Sequence, residues 1–225
     1  MLPALGQQTA YFSVERIKAE VVRRRLAIKD SSLKVYLNEA LRKGVVHDAG
    51  RGWYSRLSEP VPLNGKPVAR LIRTLEEALP LLDFSCWSTA QINPWMHHLL
   101  AQPVSFLYVT GDAVESVSET LAGLGWQTVA DPEASAAPAV VRPGPKLVVV
   151  RSARSKQPEG EGHQAPIEKI LVDLVEEATD SALMDLSEAQ DVMGTVLGRY
   201  LLQVATLQSY AERRGLKLRA LAAIN

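Results

Sequence analysis

Residues 31–56 read SSLKVYLNEALRKGVVHDAGRGWYSR, and the reading of this stretch decides the fold. Leu33, Tyr36, Leu37, Ala40 and Leu41 recur at the i, i+3, i+4, i+7, i+8 spacing that puts apolar side chains on one helical face. Asp30 or Ser31 is the expected N-cap, and Gly44 stands where a helix ends on a left-handed glycine. Val45-Val46-His47 and Trp53-Tyr54-Ser55 then flank Asp-Ala-Gly-Arg-Gly, a loop of hairpin length whose glycines supply positive φ. Glycines around an arginine also raise the possibility of a phosphate cradle. Such a cradle must open directly into a helix N-terminus, whereas this loop opens into the strand-forming Trp-Tyr-Ser. The stretch therefore reads as a helix followed by a hairpin with Arg51 at its tip.

Working backward, Ser13 is the expected N-cap of a helix to about Leu26, with Val14, Ile17, Val21 and Leu26 on one face. Helix, tight break, helix and hairpin is the order of a winged helix-turn-helix, in which the second helix enters the major groove. Opposite its apolar stripe that helix carries Ser31, Lys34, Asn38 and Arg42, with Ser32 beside them. Asn binds adenine bidentately, Arg binds guanine bidentately, and Ser or Lys holds phosphates; a solvated helix face is the ordinary alternative for such a stripe. Arg23, Arg24 and Arg25 close the first helix and Lys29 sits in the turn, where groove-edge phosphates would be reached. Arg51 is placed to enter a minor groove or meet a phosphate.

Charge agrees with a polyanion partner for this segment. Residues 1–56 hold 11 Lys and Arg against 5 acidic residues, a net of +6, in a chain of 225 residues whose total is zero. The remainder nets −6.

Residues 57–67, LSEPVPLNGKP, have three prolines, an Asn-Gly and no periodicity, which marks an interdomain linker. Beyond it the pattern is helix (VARLIRTLEEAL), strand (LDFSCWST), strand (VSFLYVT), helix (DAVESVSETLAGLG), strand (WQTVA) and strand (KLVVVRS), with DPEASAAPAVVRPGP as a loop and SKQPEGEGHQ as a mobile polar segment. Three helical stretches follow. The expected fold is α+β: an N-terminal winged helix-turn-helix over 1–56, a linker over 57–67, and an α/β domain with a helical C-terminal region over 68–225.

Cys86 is the only cysteine, so no intrachain disulfide forms and a reducing, cytoplasmic setting is expected. No run of about 18 apolar residues exists, so no membrane partner is expected. His97-His98 lacks Cys, Asp or Glu at ligand spacing and reads as a structural or surface pair. Glu168, Lys169 and Asp173 resemble the acid and lysine set of a metal-dependent nuclease. Ile167, Ile170, Leu171, Leu174 and Val175 instead make that segment an amphipathic helix with those charges on its outer face. No catalytic residue, metal or cofactor is expected. Arg213 and Arg214 end a helix near the C-terminus, either to favour its dipole or as a second basic surface.

GRGWYS in the hairpin, the linker, CWSTAQINPWMHH, VSFLYVT, IEKILVDL and LQSYAERRG occur in an order that resembles the AbiEi-type antitoxins of type IV toxin–antitoxin (abortive infection) systems. The resemblance implies a non-enzymatic regulator whose winged helix represses its own operon by binding inverted repeats in double-stranded DNA. It implies a second domain that supports antitoxicity against a nucleotidyltransferase-like toxin, without requiring a stable complex with it. It places the recognition helix at 31–43, the wing at 45–54, and DNA contact on Arg23, Arg24, Lys34, Arg42 and Arg51, with Arg213 and Arg214 added. The acidic body departs from a uniformly basic repressor. Two alternatives stand beside it: a winged-helix protein-interaction module with an acidic partner-binding body, and a metal-dependent nuclease centred on Glu168.

Overall fold

Ser13 ends a strand and begins a helix at once, because its side chain accepts from the Arg16 amide at 3.2 Å and caps the first turn. The computed structural model describes residues 9–97, 102–132, 146–180 and 184–218. It is a mixed α and β structure with two sheets, and the chain divides into two compact units. Unit 1 comprises Met1–Val61 with Met193–Asn225, and unit 2 comprises Pro62–Val192.

In unit 1, β1 (Tyr11–Ser13) leads into α1 (Val14–Arg23), then α2 (Asp30–Arg42), β2 (His47–Asp48) and β3 (Trp53–Ser55). Ile17 and Val21 of α1 pack with Leu33, Leu37 and Ala40 of α2, Phe12 and Val46. Both helices stop on the same backbone device. The Leu26 amide reaches back to the Val21 carbonyl and the Arg25 amide to Val22, with Arg25 left-handed at φ 54°. The Val45 amide reaches Ala40 and the Gly44 amide Leu41, with Gly44 at φ 65°. The first stop comes at Arg23 rather than Leu26, which leaves Leu26 outside the core at 39% exposure. Tyr36 departs likewise from its expected core place, at 52% exposure. The N-cap of α2 is Lys29, with no side-chain bond; Asp30 lies inside the first turn and pairs with Lys18 at 2.7 Å.

The three-stranded sheet has the order β1-β3-β2, all antiparallel, with Phe12 opposite Tyr54. β1 has no counterpart in the sequence reading, and it makes β3 the central strand. α7 (Val204–Arg213) belongs to this unit rather than to an α/β body. Tyr11 donates its hydroxyl to the Tyr200 carbonyl and accepts from the Leu202 amide at 2.9 Å; the Leu201 amide bonds Glu59 at 2.7 Å. The Ala205 amide, in the first turn of α7, bonds the Ala49 carbonyl beside the hairpin turn at 3.2 Å. The linker is correspondingly shorter than expected, since the unit division falls at Val61 and α3 begins at Lys66.

Unit 2 contains α3 (Lys66–Ala78), β4 (Phe84–Ser88), β5 (Val104–Val109), α4 (Val114–Gly123), β6 (Gln127–Ala130), β7 (Leu147–Ser152), α5 (Ile167–Asp180) and the start of α6 (Leu186–Arg199). The sheet order is β4-β5-β7-β6, with β5, β7 and β6 parallel and β4 antiparallel at the edge. β7 therefore lies between the two strands that α4 connects. One face, through Cys86, Leu107, Val109, Val148 and Val150, packs on α3 and α4. Burial pushes the Cys86 thiol up to about 12.

α5 covers the other face, and here the sequence reading is corrected. Glu168, Lys169 and Asp173 do not lie on an outer face: Lys169 and Asp173 are fully buried and Glu168 is 8% exposed. Lys169 pairs with Asp173 at 2.5 Å and places its ammonium 3.4 Å from the centre of the Tyr108 ring. One turn further, Glu177 takes Arg151 of β7 in a two-point pair at 2.9 and 2.7 Å. Burial opposes the Arg151 charge, but Glu177 and weaker neighbours more than compensate, so its pKa is raised. Removing one partner from such a buried pair costs about 3–5 kcal/mol. The segment read as mobile, 155–164, is also anchored: the Cys86 amide bonds His163 and the Ala165 amide bonds Cys86, both at 2.8 Å. Residues 133–145, read as a loop, lie outside the described residues, as does His98.

Gly50 makes the hairpin and α7 compatible. It sits at φ 95°, and a Cβ there would lie 2.6 Å from the Ala205 Cβ. Gly52, at φ 77°, has open space around it. Gly50→Ala is expected to cost about 2–4 kcal/mol and Gly52→Ala about 1–2 kcal/mol. Urea denaturation of the two variants checks the difference, which disappears if α7 does not abut the hairpin.

Candidate nucleic-acid interface

The packing of α2 determines which side chains it leaves outside. With Leu33, Leu37 and Ala40 buried, the 100° step per residue turns Ser31, Lys34, Val35, Asn38 and Arg42 outward, and all five are exposed. Ser32 is half-buried and lies off this face. Val35, 62% exposed among the polar groups, supplies an apolar contact of the kind that meets a thymine methyl. Lys34 and Asn38 also line a groove of about 310 Å³ with Lys18, Asp30 and Tyr54.

Arg51 is exposed at the hairpin tip. The flanking glycines take φ 95° and 77°, and the Trp53 amide closes the turn on the Gly50 carbonyl at 2.9 Å. Lys29 is exposed in the turn between the helices, and Arg25 is exposed beside it. Arg25, Lys29, Lys34, Arg42 and Arg51 make no ion pair among the described residues.

Arg23 and Arg24 differ from that set. Both bond Glu20, Arg23 in a two-point pair at 2.6 and 2.5 Å and Arg24 through Nε. Glu20 is held well below the usual carboxylate range, at about 2, first by its bond from Arg23 and then by that from Arg24. With its folded pKa depressed, the carboxylate is ionised at neutral and mildly acid pH and partly neutralises both arginines there; this is lost only as pH falls toward 2. Sequence spacing carries this signal, since Glu20 precedes the arginines by three and four residues.

Arg213 and Arg214 end α7, with guanidinium carbons 5.9 and 5.6 Å from the Tyr210 ring centre; Arg213 is exposed and bonds Ser209 at 2.6 Å, while Arg214 is half-buried. Their membership of unit 1 sharpens the charge division. Unit 1 holds 16 Lys and Arg against 7 acidic residues, net +9, and unit 2 holds 9 against 18, net −9.

A family model described as a family of unknown function, DUF6577, matches residues 32–225. The chain belongs to that family. No curated protein matches the chain. The DUF6577 match begins inside α2, so it takes in the outward face from Lys34 onward, the hairpin, all of unit 2 and α7. Among the described residues no helix is long and apolar enough to cross a membrane, and no three His, Cys, Asp or Glu side chains gather as a metal site.

If the basic face of unit 1 meets DNA, Glu20→Gln is expected to release Arg23 and Arg24 and so to strengthen binding to any duplex. The plot of log K against log salt should steepen by about one to two units, since each extra phosphate contact adds close to one. Fluorescence anisotropy at several salt concentrations measures this; an unchanged slope would remove Arg23 and Arg24 from the interface.

Proposed function

We propose that β1, α1, α2 and the β2-β3 hairpin form a winged helix-turn-helix that reads double-stranded DNA through α2, with Arg51 on the wing. The outward row of Ser31, Lys34, Asn38 and Arg42 on a helix whose opposite side is fixed in the core carries this reading. A helix so anchored presents a rigid donor and acceptor pattern to base edges. Arg25, Lys29 and Arg51 fit phosphate or minor-groove contact, and the +9 charge of unit 1 supplies the field that concentrates it on a polyanion. Arg213 and Arg214 extend the basic surface.

The resemblance to AbiEi-type antitoxins adds the biological role. In this reading the protein is a cytoplasmic, non-enzymatic repressor of its own operon, binding inverted repeats there and opposing a nucleotidyltransferase-like toxin. Finding a reading frame of that type downstream of the gene would support the role. The nuclease alternative loses its footing, because Lys169 and Asp173 are fully buried and occupied with each other. The protein-interaction alternative draws on Val22, Leu26, Tyr36 and Val45, apolar side chains that unit 1 leaves exposed.

Electrophoretic shifts on the DNA upstream of the gene separate these readings. Asn38→Ala and Arg42→Ala are each expected to lose about 1–3 kcal/mol of discrimination between that DNA and unrelated duplex. Lys29→Gln is expected to weaken both alike. Unaltered discrimination in both α2 variants would defeat the recognition-helix assignment.

A further inference from the structure

The carboxyl ends of β5 and β7, adjacent and parallel, open onto a cleft of about 700 Å³ in unit 2. Ligands of open α/β sheets bind outside the carboxyl ends of the strands, and a volume of this size accommodates a nucleotide-sized molecule. Thr110 and Gly111 form one wall, where a single 3-10 turn leads into α4. Residues 153–163 form the other, crossing the strand ends before bonding Cys86.

This wall is held in a conformation that L side chains rarely adopt. Lys156 and His163 both take left-handed φ, 58° and 62°. Gly160 approaches the Gln164 carbonyl so closely that no Cβ fits. His163 stacks on Phe84 at 4.0 Å and donates Nδ1–H to the Phe84 carbonyl at 3.0 Å, which leaves Nε2 as its second polar atom. Strain of this kind persists where surrounding structure over-determines it, and it clusters at ligand sites.

Among the described residues, two polar groups here lack a partner. Ser85, 8% exposed, lines the cleft with a buried hydroxyl that makes no hydrogen bond, and the buried Gln157 side-chain oxygen makes none. Buried hydroxyls are normally satisfied, and a ligand in the cleft can supply the missing partner. Arg154 and Lys156 bring positive charge to one side. Asp83 and Glu159 bring carboxylates to the lining, and Arg154 also reaches Glu176 at 3.7 Å.

We infer that this cleft binds a small phosphorylated sugar or nucleotide, its phosphate held by Arg154 and Lys156 opposite the Thr110–Gly111 wall, and its hydroxyls by Asp83, Glu159 and Ser85. Two cations on one wall suit a phosphate, while carboxylates suit the hydroxyls of a sugar. The inference concerns unit 2 and is independent of DNA binding by unit 1.

Isothermal titration of the full-length protein with AMP, ribose 5-phosphate, inorganic phosphate and ribose tests it. AMP and ribose 5-phosphate are expected to bind at least tenfold more tightly than inorganic phosphate, and ribose alone not to bind. Both cations are exposed, so the Arg154→Gln/Lys156→Gln double variant should keep its melting profile and lose at least tenfold in affinity. Ser85→Ala should raise the melting temperature of the free protein while reducing the rise that AMP produces. Absence of binding by both phosphorylated probes at millimolar concentration, equal affinity for inorganic phosphate, or unchanged affinity in the folded double variant would overturn the inference.

Discussion

The Tyr11 hydroxyl is the hinge on which unit 1 depends. It is buried, donates to the Tyr200 carbonyl and accepts from the Leu202 amide, and so satisfies two backbone groups far away in sequence with one side chain. A buried polar group deprived of its partner costs about 1–3 kcal/mol, which makes this bridge a strong selector of the observed pairing. Because β1 also pairs with β3, the same residue fixes the hairpin from one side while α7, through Ala205 and Ala49, fixes it from the other. The hairpin is thus a braced element, with Gly50 as the point of closest approach.

This bracing has an electrostatic consequence. Bringing residues 193–225 into unit 1 moves five more basic residues onto it and leaves unit 2 at −9. The neutral total of the chain therefore hides two modules of opposite sign. Within unit 1 the charge is graded: Glu20 holds Arg23 and Arg24 on α1, Asp30 holds Lys18, and Glu39 holds Lys43. In the proposed reading, the cations of the turn, α2 and the wing tip meet DNA without first breaking an ion pair. Each paired arginine must give up Glu20 before it contributes fully.

Sequence made local features legible and hid distant ones. Ser13, Gly44 and the apolar stripe of α2 are signals within a few residues of their effects, and the helices follow them. The strands of unit 2 announce themselves by β-branched and aromatic runs. β1 was not legible, because Tyr11 and Phe12 become a strand only through pairing with residues more than 40 positions away. Membership of α7 in unit 1 was hidden for the same reason. The stripe Lys169, Asp173, Glu177 failed differently: periodicity assigns charge to solvent, whereas here the charges neutralise each other and Arg151 inside the fold. Of the proposed DNA-contact set, the outward face of α2 was legible from spacing alone. The engagement of Arg23 and Arg24 lies in the spacing to Glu20, three and four residues earlier, and not in the charge run itself. The cleft at the strand ends had no sequence signal, since its lining comes from three separated segments, 83–85, 110–111 and 153–163, with Ser85 on an otherwise apolar strand.

Hydrogen exchange of the full-length protein, with and without the DNA upstream of its gene, tests the central claim directly. A winged helix-turn-helix in unit 1 predicts that DNA slows exchange of the amides in the 24–32 turn, α2 and the 48–54 hairpin, while the amides of β4 to β7 are unchanged. Slowed exchange confined to unit 2, with the turn, α2 and the hairpin unaffected, would contradict it.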